Sequence, residues 1–376
     1  MGAQRSKPLK KLILLFASVL VALVLAEIAV RTAGRGPLHV TASEVVFWQF
    51  DSLLGWSHPP RRQGIFAARH CRMHVRINSK GLRDREHRYK RRGSTKRVLV
   101  LGDSLAWGHG VEEDSRLSER LEALLGVDVI NAGVSGYSTD QELLWFQTEG
   151  VRYDVDSVVL VFCGNDPGMN YKQRGYYIYN KPRFVLHGDN LDLRGVPVPK
   201  IDLVRKMAWH VRRRSALIHL IAETLPELLA RAGRTTGTEP HSDPGTTRSP
   251  RPFKLTIRLM DEMRRVATDR GAQFLVVACS SWWRGPPSGG TYGTLIDALR
   301  ADGFQVIDVD SLPGFDPARM TIPDDGHWNA SGHAFVACAI RGCIEQPVGV
   351  HAHETLEDKS TVNPQSQSGQ PAEDPQ

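Results

Sequence analysis

Four short segments hold the residue types that acyl-transfer chemistry needs. Ser104 lies in Gly102-Asp103-Ser104-Leu105, directly after an apolar run, and His327 closes Asp324-Asp325-Gly326-His327 far downstream. A serine hydroxyl is a poor nucleophile until a base takes its proton, and an imidazole is the usual base. An aspartate three residues before the histidine, Asp324, can reach back across one turn and fix the ring tautomer. Asp325 is the neighbouring alternative. The developing oxyanion then needs fixed donors. The backbone N–H groups of Ser104 and Gly136 and the side-chain amide of Asn165 are the candidates, and glycine at 136 permits a close backbone approach. This chemistry through Ser104, Asp324 and His327 calls for no metal and no organic cofactor.

Taken singly, these segments are ordinary. Gly-Asp-Ser and Asp-Gly are common turn sequences, and Asn-Asp after a strand commonly caps a helix. What carries weight is the elements that deliver them. Short apolar runs rich in Val, Ile and Leu predict strands at Arg97–Leu101, Val127–Asn131, Ser157–Phe162, Gln273–Cys279 and Gln305–Asp308. Helical patterns alternate with them: Ser115–Leu125, Thr139–Glu149, Phe253–Arg270, Thr294–Arg300 and Ala330–Glu345. Such alternation of nearly continuous apolar strands with helices predicts an α/β fold, a parallel sheet covered on both faces. Ligand sites in open parallel sheets form outside the carboxyl ends of the strands. The segments at 102–104, 131–136 and 164–166 each follow a predicted strand, and 324–327 follows the last, so one rim receives all four.

In that order and placement the segments resemble the signature blocks of the SGNH (GDSL-type) hydrolase family. The Gly-Asp-Ser block matches at 102–104, the glycine block at 133–136, the Asn-Asp block at 164–166 and the Asp-x-x-His block at 324–327. The resemblance runs from Val98 to about Ile344, less an insertion. It implies a flavodoxin-like, doubly wound five-stranded sheet. It also implies roles for Ser104, Asp324 and His327 as catalytic residues and for Ser104, Gly136 and Asn165 as the oxyanion hole. The family spacing favours Asp324 over Asp325. Two departures stand out. Cys163 occupies a position where the family usually has glycine, and Ala106 stands where a Gly-x-Ser-x-Gly elbow would need glycine, which argues against an α/β-hydrolase proper. The stretch Asn78-Ser79-Lys80-Gly81-Leu82-Arg83-Asp84 is similar to one that many bacterial membrane-anchored members carry ahead of the serine; its task is not evident from the residues.

The 376 residues divide as a membrane segment over 1–35, an irregular extension over 36–96, the hydrolase domain over 97–346 with an insertion at 166–252, and a polar tail expected to be disordered over 347–376. The apolar run from Leu12 to Val30 follows Arg5, Lys7, Lys10 and Lys11, so the N-terminus stays inside and the rest crosses. It approaches the ~20 residues that span a bilayer. The expected localisation is membrane-anchored with the domain outside the cytoplasm; cleavage near Ala26, giving a secreted protein, is the alternative. Within the insertion, residues 201 to about 225 predict a basic amphipathic helix, read as a solvated face, with a lipid-lying helix or a lid as alternatives. A Gly/Pro/Ser/Thr-rich loop follows over 235–252. A net charge of +7 with scattered Lys and Arg argues against nucleic acid as a partner. Five cysteines in no metal-ligand spacing imply no disulfide framework. Trp107 and Trp328, next to the serine and histidine, suit either an acyl pocket or the core. His333 suits packing, Asn329 a helix cap, and His351, His353 and Glu354 a solvated tail.

The expected function is therefore a serine ester hydrolase acting on a glycan, lipid or small ester. The same triad would also serve an O-acyltransferase on an envelope polysaccharide. A non-catalytic envelope binding protein on the same fold is the reading from another class.

Overall fold

A computed structural model describes residues 6–33, 47–68, 70–91, 93–175, 178–222, 224, 253–283, 285 and 289–345. The loop expected at 235–252 and the tail at 347–376 lie outside them. The chain opens with helix α1 (Ser6–Thr32). Two antiparallel hairpins follow, β1 (Gln49–Asp51) with β2 (Gly55–Ser57) and β3 (Gln63–Ala68) with β4 (Cys71–Arg76).

The domain proper alternates β5 (Arg97–Gly102), α2 (Ser104–Trp107), α3 (Leu117–Leu125), β6 (Asp128–Asn131), α4 (Thr139–Thr148), β7 (Ser157–Cys163) and α5 (Asp166–Met169). The insertion adds the hairpin β8 (Arg183–His187) and β9 (Asn190–Arg194), then helix α6 (Leu203–Arg214). Helix α7 (Lys254–Thr268), β10 (Gln273–Cys279), α8 (Tyr292–Ala301), β11 (Gln305–Asp308), α9 (Pro317–Met320) and α10 (Ala330–Glu345) complete it.

The central sheet is five-stranded, ordered β11-β10-β7-β5-β6, and all of its pairs are parallel. Counted along the chain, the order is 2-1-3-4-5, the flavodoxin-like winding. Successive side chains go to opposite faces, because a strand has period two. Leu99, Leu101, Val158, Leu160, Phe162, Val276 and Ala278 pack toward Leu143 and Phe146 of α4 and Leu259, Met260 and Met263 of α7. Val98, Val100, Val159, Val161, Leu275 and Val277 face the other way, onto Leu117 and Leu121 of α3 and Val336, Ala337 and Ile340 of α10. Both faces being covered is why these strands read as unbroken apolar runs.

The stretch over 36–96 differs from the irregular extension expected. Its described part folds into hairpins and contributes Phe47, Trp48, Trp56, Phe66, Met73, Val75, Ile77 and Leu82 to the core of the first face. The physical reason is visible in β4, where Met73 and Val75 are buried between exposed Arg72, His74 and Arg76, an alternation that marks a half-buried strand. Trp107 and Trp328 are fully buried, the core reading rather than the pocket one. His333 is buried too and accepts the Leu117 N–H at 3.2 Å. Asn329 caps α10, its Oδ1 accepting from Ser331 and Gly332. All five cysteines are free, with Cys163 and Cys279 in the core as expected.

Beneath the strand ends, α4 carries buried charge. Asp140 pairs with the buried ammonium of Lys181. Glu142 is 2% exposed, and neither of its carboxylate oxygens has a hydrogen-bond partner among the described residues. Burial, followed by the charges of Asp166, Asp103 and Asp140, pushes its carboxyl well above the usual range, so it holds its proton. The sign follows from linkage. The unfolded chain releases that proton above about pH 4.5 and the folded chain does not, so the stability lost to Glu142 grows as pH rises. Glu142→Gln is expected to raise Tm, by more at about pH 8 than at about pH 5, in thermal melts at the two values. An equal shift at both would show that Glu142 is ionised in the folded protein.

Candidate active site

The turn from β5 into α2 sets the serine. Gly102 has φ +150°, and a Cβ there would sit 2.7 Å from the Ala106 Cβ and 2.8 Å from the Val161 carbonyl oxygen, so only glycine fits. Asp103 caps α2 by accepting the Leu105 N–H at 2.9 Å. Ser104 thereby stands at the head of a short helix, at the end of the strand where the chain order reverses. Its Oγ donates to Nε2 of His327 at 2.8 Å, across 223 residues of sequence.

The histidine sits on a tight loop closed by the bridge between Thr321 and Trp328 and by the bond from the Ile322 N–H to the His327 carbonyl at 2.7 Å. Here the expected acid is corrected. Nδ1 of His327 bonds to Asp325, not Asp324, and Asp325 Oδ1 also accepts the His327 N–H at 3.2 Å. The three-residue reach assumed a helical turn. The loop is instead a reverse turn, with Asp324 exposed at its tip at φ +59° and Asp325 folded back beneath the ring. Burial raises the Asp325 carboxyl, but the hydrogen bond and charge of His327, with His109 adding, lower it on balance to about 2. It is therefore ionised at neutral pH.

Gly136, at φ +83° in the loop after β6, and Asn165, buried after β7, lie on the neighbouring loops of the same rim. The Asn131 side chain locks the first of these loops to the serine helix, donating to Ala106 O at 2.8 Å and Ser118 Oγ at 2.9 Å while accepting from the Gly133 N–H at 2.9 Å.

Sequence reasoning missed two rings that hold the imidazole. His109 stacks on His327 with centroids 4.1 Å apart, and its Nε2 lies 4.0 Å from Asp325 Oδ2 and 3.5 Å from Cys71 Sγ. Burial first, then the neighbouring His327 charge, lower its pKa to about 3 against the pull of Asp325, so the ring stays neutral. Trp282, from the loop after β10, covers the His327 ring at 4.4 Å. The strand-end rule points to that loop as much as to the others, and so it could have been found. A lone histidine five residues past a serine carries no such signal. His109, Asp325 and His327 offer ligand atoms within 4.8 Å of one another.

The stretch before β5 supports the segment after the serine helix and the end of β6. Arg83 is 1% exposed, and its guanidinium donates to the carbonyls of Trp107 (2.9 Å), Gly108 (2.6 Å), Val111 (2.8 Å) and His74 (3.2 Å). It thus clamps the segment that carries His109 away from the serine helix. Asp84 accepts the Asn131 N–H at 2.7 Å and pairs with His87 at 2.9 Å, fixing the end of β6.

Two outcomes follow. Asp325→Asn is expected to lower kcat on the order of 10³-fold or more. Asp324→Asn, at an exposed site whose left-handed backbone suits Asn, should stay within about threefold. Steady-state kinetics on both decide which carboxylate orients the ring, and the reverse ranking would restore Asp324. Arg83→Met removes four charge-assisted bonds and should lower stability by about 2–4 kcal/mol in denaturant titration; no loss would mean the carbonyls find other donors.

Residues 100–335 match the GDSL-like lipase/acylhydrolase family. No curated protein matches the chain. Among solved structures, it is similar to the lipase/acylhydrolase of Enterococcus faecalis (14% identity, TM-score 0.33, 66% of this chain and 95% of that one). It is also similar to the psychrotrophic esterase EstA of Pseudoalteromonas sp. (12% identity, TM-score 0.35, 66% and 96%). A third is a GDSL-like lipase of Bacteroides thetaiotaomicron (13% identity, TM-score 0.35, 66% and 88%). The matched segment spans β5 to α10 and includes the serine, the histidine and both rim loops between them, and by it the chain belongs to the GDSL-like lipase/acylhydrolase family of ester-hydrolysing enzymes.

Proposed function

We propose that the protein is a serine ester hydrolase that works through an acyl-enzyme on Ser104, outside the cytoplasm, while held to the membrane by α1. The observation that carries the mechanism is the relay: Ser104 Oγ within 2.8 Å of His327 Nε2, with the far ring nitrogen bonded to Asp325.

In the first step His327 takes the hydroxyl proton as Ser104 Oγ bonds to the ester carbonyl carbon. The carbonyl oxygen becomes an oxyanion, received by the backbone N–H groups of Ser104 and Gly136 and by the Asn165 amide. His327 then passes its proton to the leaving alcohol as the C–O bond breaks. Water repeats the sequence on the acyl-serine and releases the acid. Asp325, ionised throughout, stabilises the imidazolium in both halves. His109 remains neutral against the ring, so it brings no second positive charge to oppose that imidazolium.

The reading of location rests on α1. Its segment Lys10–Thr32 runs 23 residues, holds an 18-residue window of mean hydropathy 2.8 that none of the described residues buries, and has basic residues before it.

Ser104→Ala is expected to lower hydrolysis of p-nitrophenyl acetate by at least about 10³-fold and to abolish fluorophosphonate labelling, with an unchanged melting curve. Full activity in a folded variant would remove Ser104 from the mechanism.

A further inference from the structure

Helix α6 presents an apolar face that none of the described residues covers. Leu203, Val204, Met207 and Val211 are exposed at 71%, 77%, 59% and 48%. At 3.6 residues per turn they fall within an arc of roughly 100°. The helical run 216–222 continues the pattern with Ile218 and Ile221, exposed at 41% and 47%. Five of the twelve α6 residues are basic and none is acidic. Taken alone, such a face could be covered by anything.

What identifies its occupant is how α6 is tied down. At its start, Asp202 caps it by accepting the Arg205 N–H at 2.7 Å, and Arg205 donates to Asn180 Oδ1 at 2.6 Å, fixing it to the domain. At its end, the ties go to α1. Glu27 lies inside the apolar segment, yet its carboxylate accepts the N–H groups of Ala216 (2.8 Å) and Leu217 (2.9 Å) and the Ser215 hydroxyl (2.8 Å). Arg31, bonded to Glu27 at 2.7 Å, donates to the Arg214 carbonyl at 2.7 Å. A carboxylate thus meets the start of one helical run and a guanidinium the end of the other, the signs that the backbone dipoles favour. These bonds hold the exposed stripe beside the last turns of α1, where a bilayer-spanning segment leaves the hydrocarbon.

We propose that α6 and residues 216–222 form an interfacial platform. The Leu203–Val204–Met207–Val211 stripe enters the bilayer surface on the catalytic-domain side, and the basic residues meet anionic phospholipid headgroups. This rests on the reading that α1 stays in the membrane. It gives Glu27 a task, since an acid in the last turns of an apolar segment needs polar partners at the membrane boundary. It also holds the domain in one orientation to the lipid rather than on a loose tether. An amphipathic basic helix with its apolar side at the acyl boundary is the arrangement that bilayer interfaces stabilise.

The test uses the full chain in phosphatidylcholine–phosphatidylglycerol vesicles, with p-benzoylphenylalanine placed singly at Val21, Leu203, Val204, Met207 or Lys206. Circular dichroism melts check that each variant is folded. After irradiation, mass spectrometry reads the covalent lipid adducts. Lipid adducts are expected at Val21 and at Leu203, Val204 and Met207, severalfold above Lys206, which lies outside the apolar arc on its basic flank. Adducts at Val21 with none at the stripe would overturn the platform and leave the anchor standing. Absence at Val21 as well would remove the anchor and the platform together.

Discussion

Burying a parallel sheet on both faces leaves its ends as the places where polar side chains and backbone can meet a ligand. In the 2-1-3-4-5 winding, the connection after β5 crosses one face and that after β7 the other, so the loops at that reversal part and leave a crevice. Ser104 follows β5, Asn165 follows β7, and His327 arrives on the loop beyond β11. The 2.8 Å bond between Ser104 and His327 is therefore a consequence of strand order. Neither residue is brought there by its local sequence.

Positions so distant in the chain also need rigid support, and two buried charges from outside the sheet supply it. Arg83 satisfies four carbonyls in and around the turn after the serine helix, while Asp84 holds the end of β6. A planar guanidinium with five fixed donors suits such a task, whereas an ammonium would reach fewer of these oxygens. The stretch that carries them, with the hairpins before it, is thus part of the domain's core and not an appendage to it.

The electrostatics divide the ionisable groups by depth. Asp325, partly open and paired with His327, is held ionised, whereas the deeper Glu142 is held neutral by burial among like charges. His109 is neutral against the His327 ring.

The order of elements, the five core strands to within a residue or two, and the serine and histidine were legible from the sequence, because apolar periodicity and strand-end placement follow from local chemistry. The alternation in β4 is present in the sequence, but its polar positions are arginine and histidine and the stretch reads as irregular. Other features were decided only by tertiary structure. The choice of Asp325 over Asp324 depended on a reverse turn closed by the Thr321–Trp328 bridge, which reverses the reach of adjacent side chains. Stacking of His109 and Trp282 on the imidazole, and the grip of Arg83, join segments whose spacing along the chain carries no information about distance in space. Periodicity reports which way a side chain faces its own element. Which partner it meets there is set by how the elements pack.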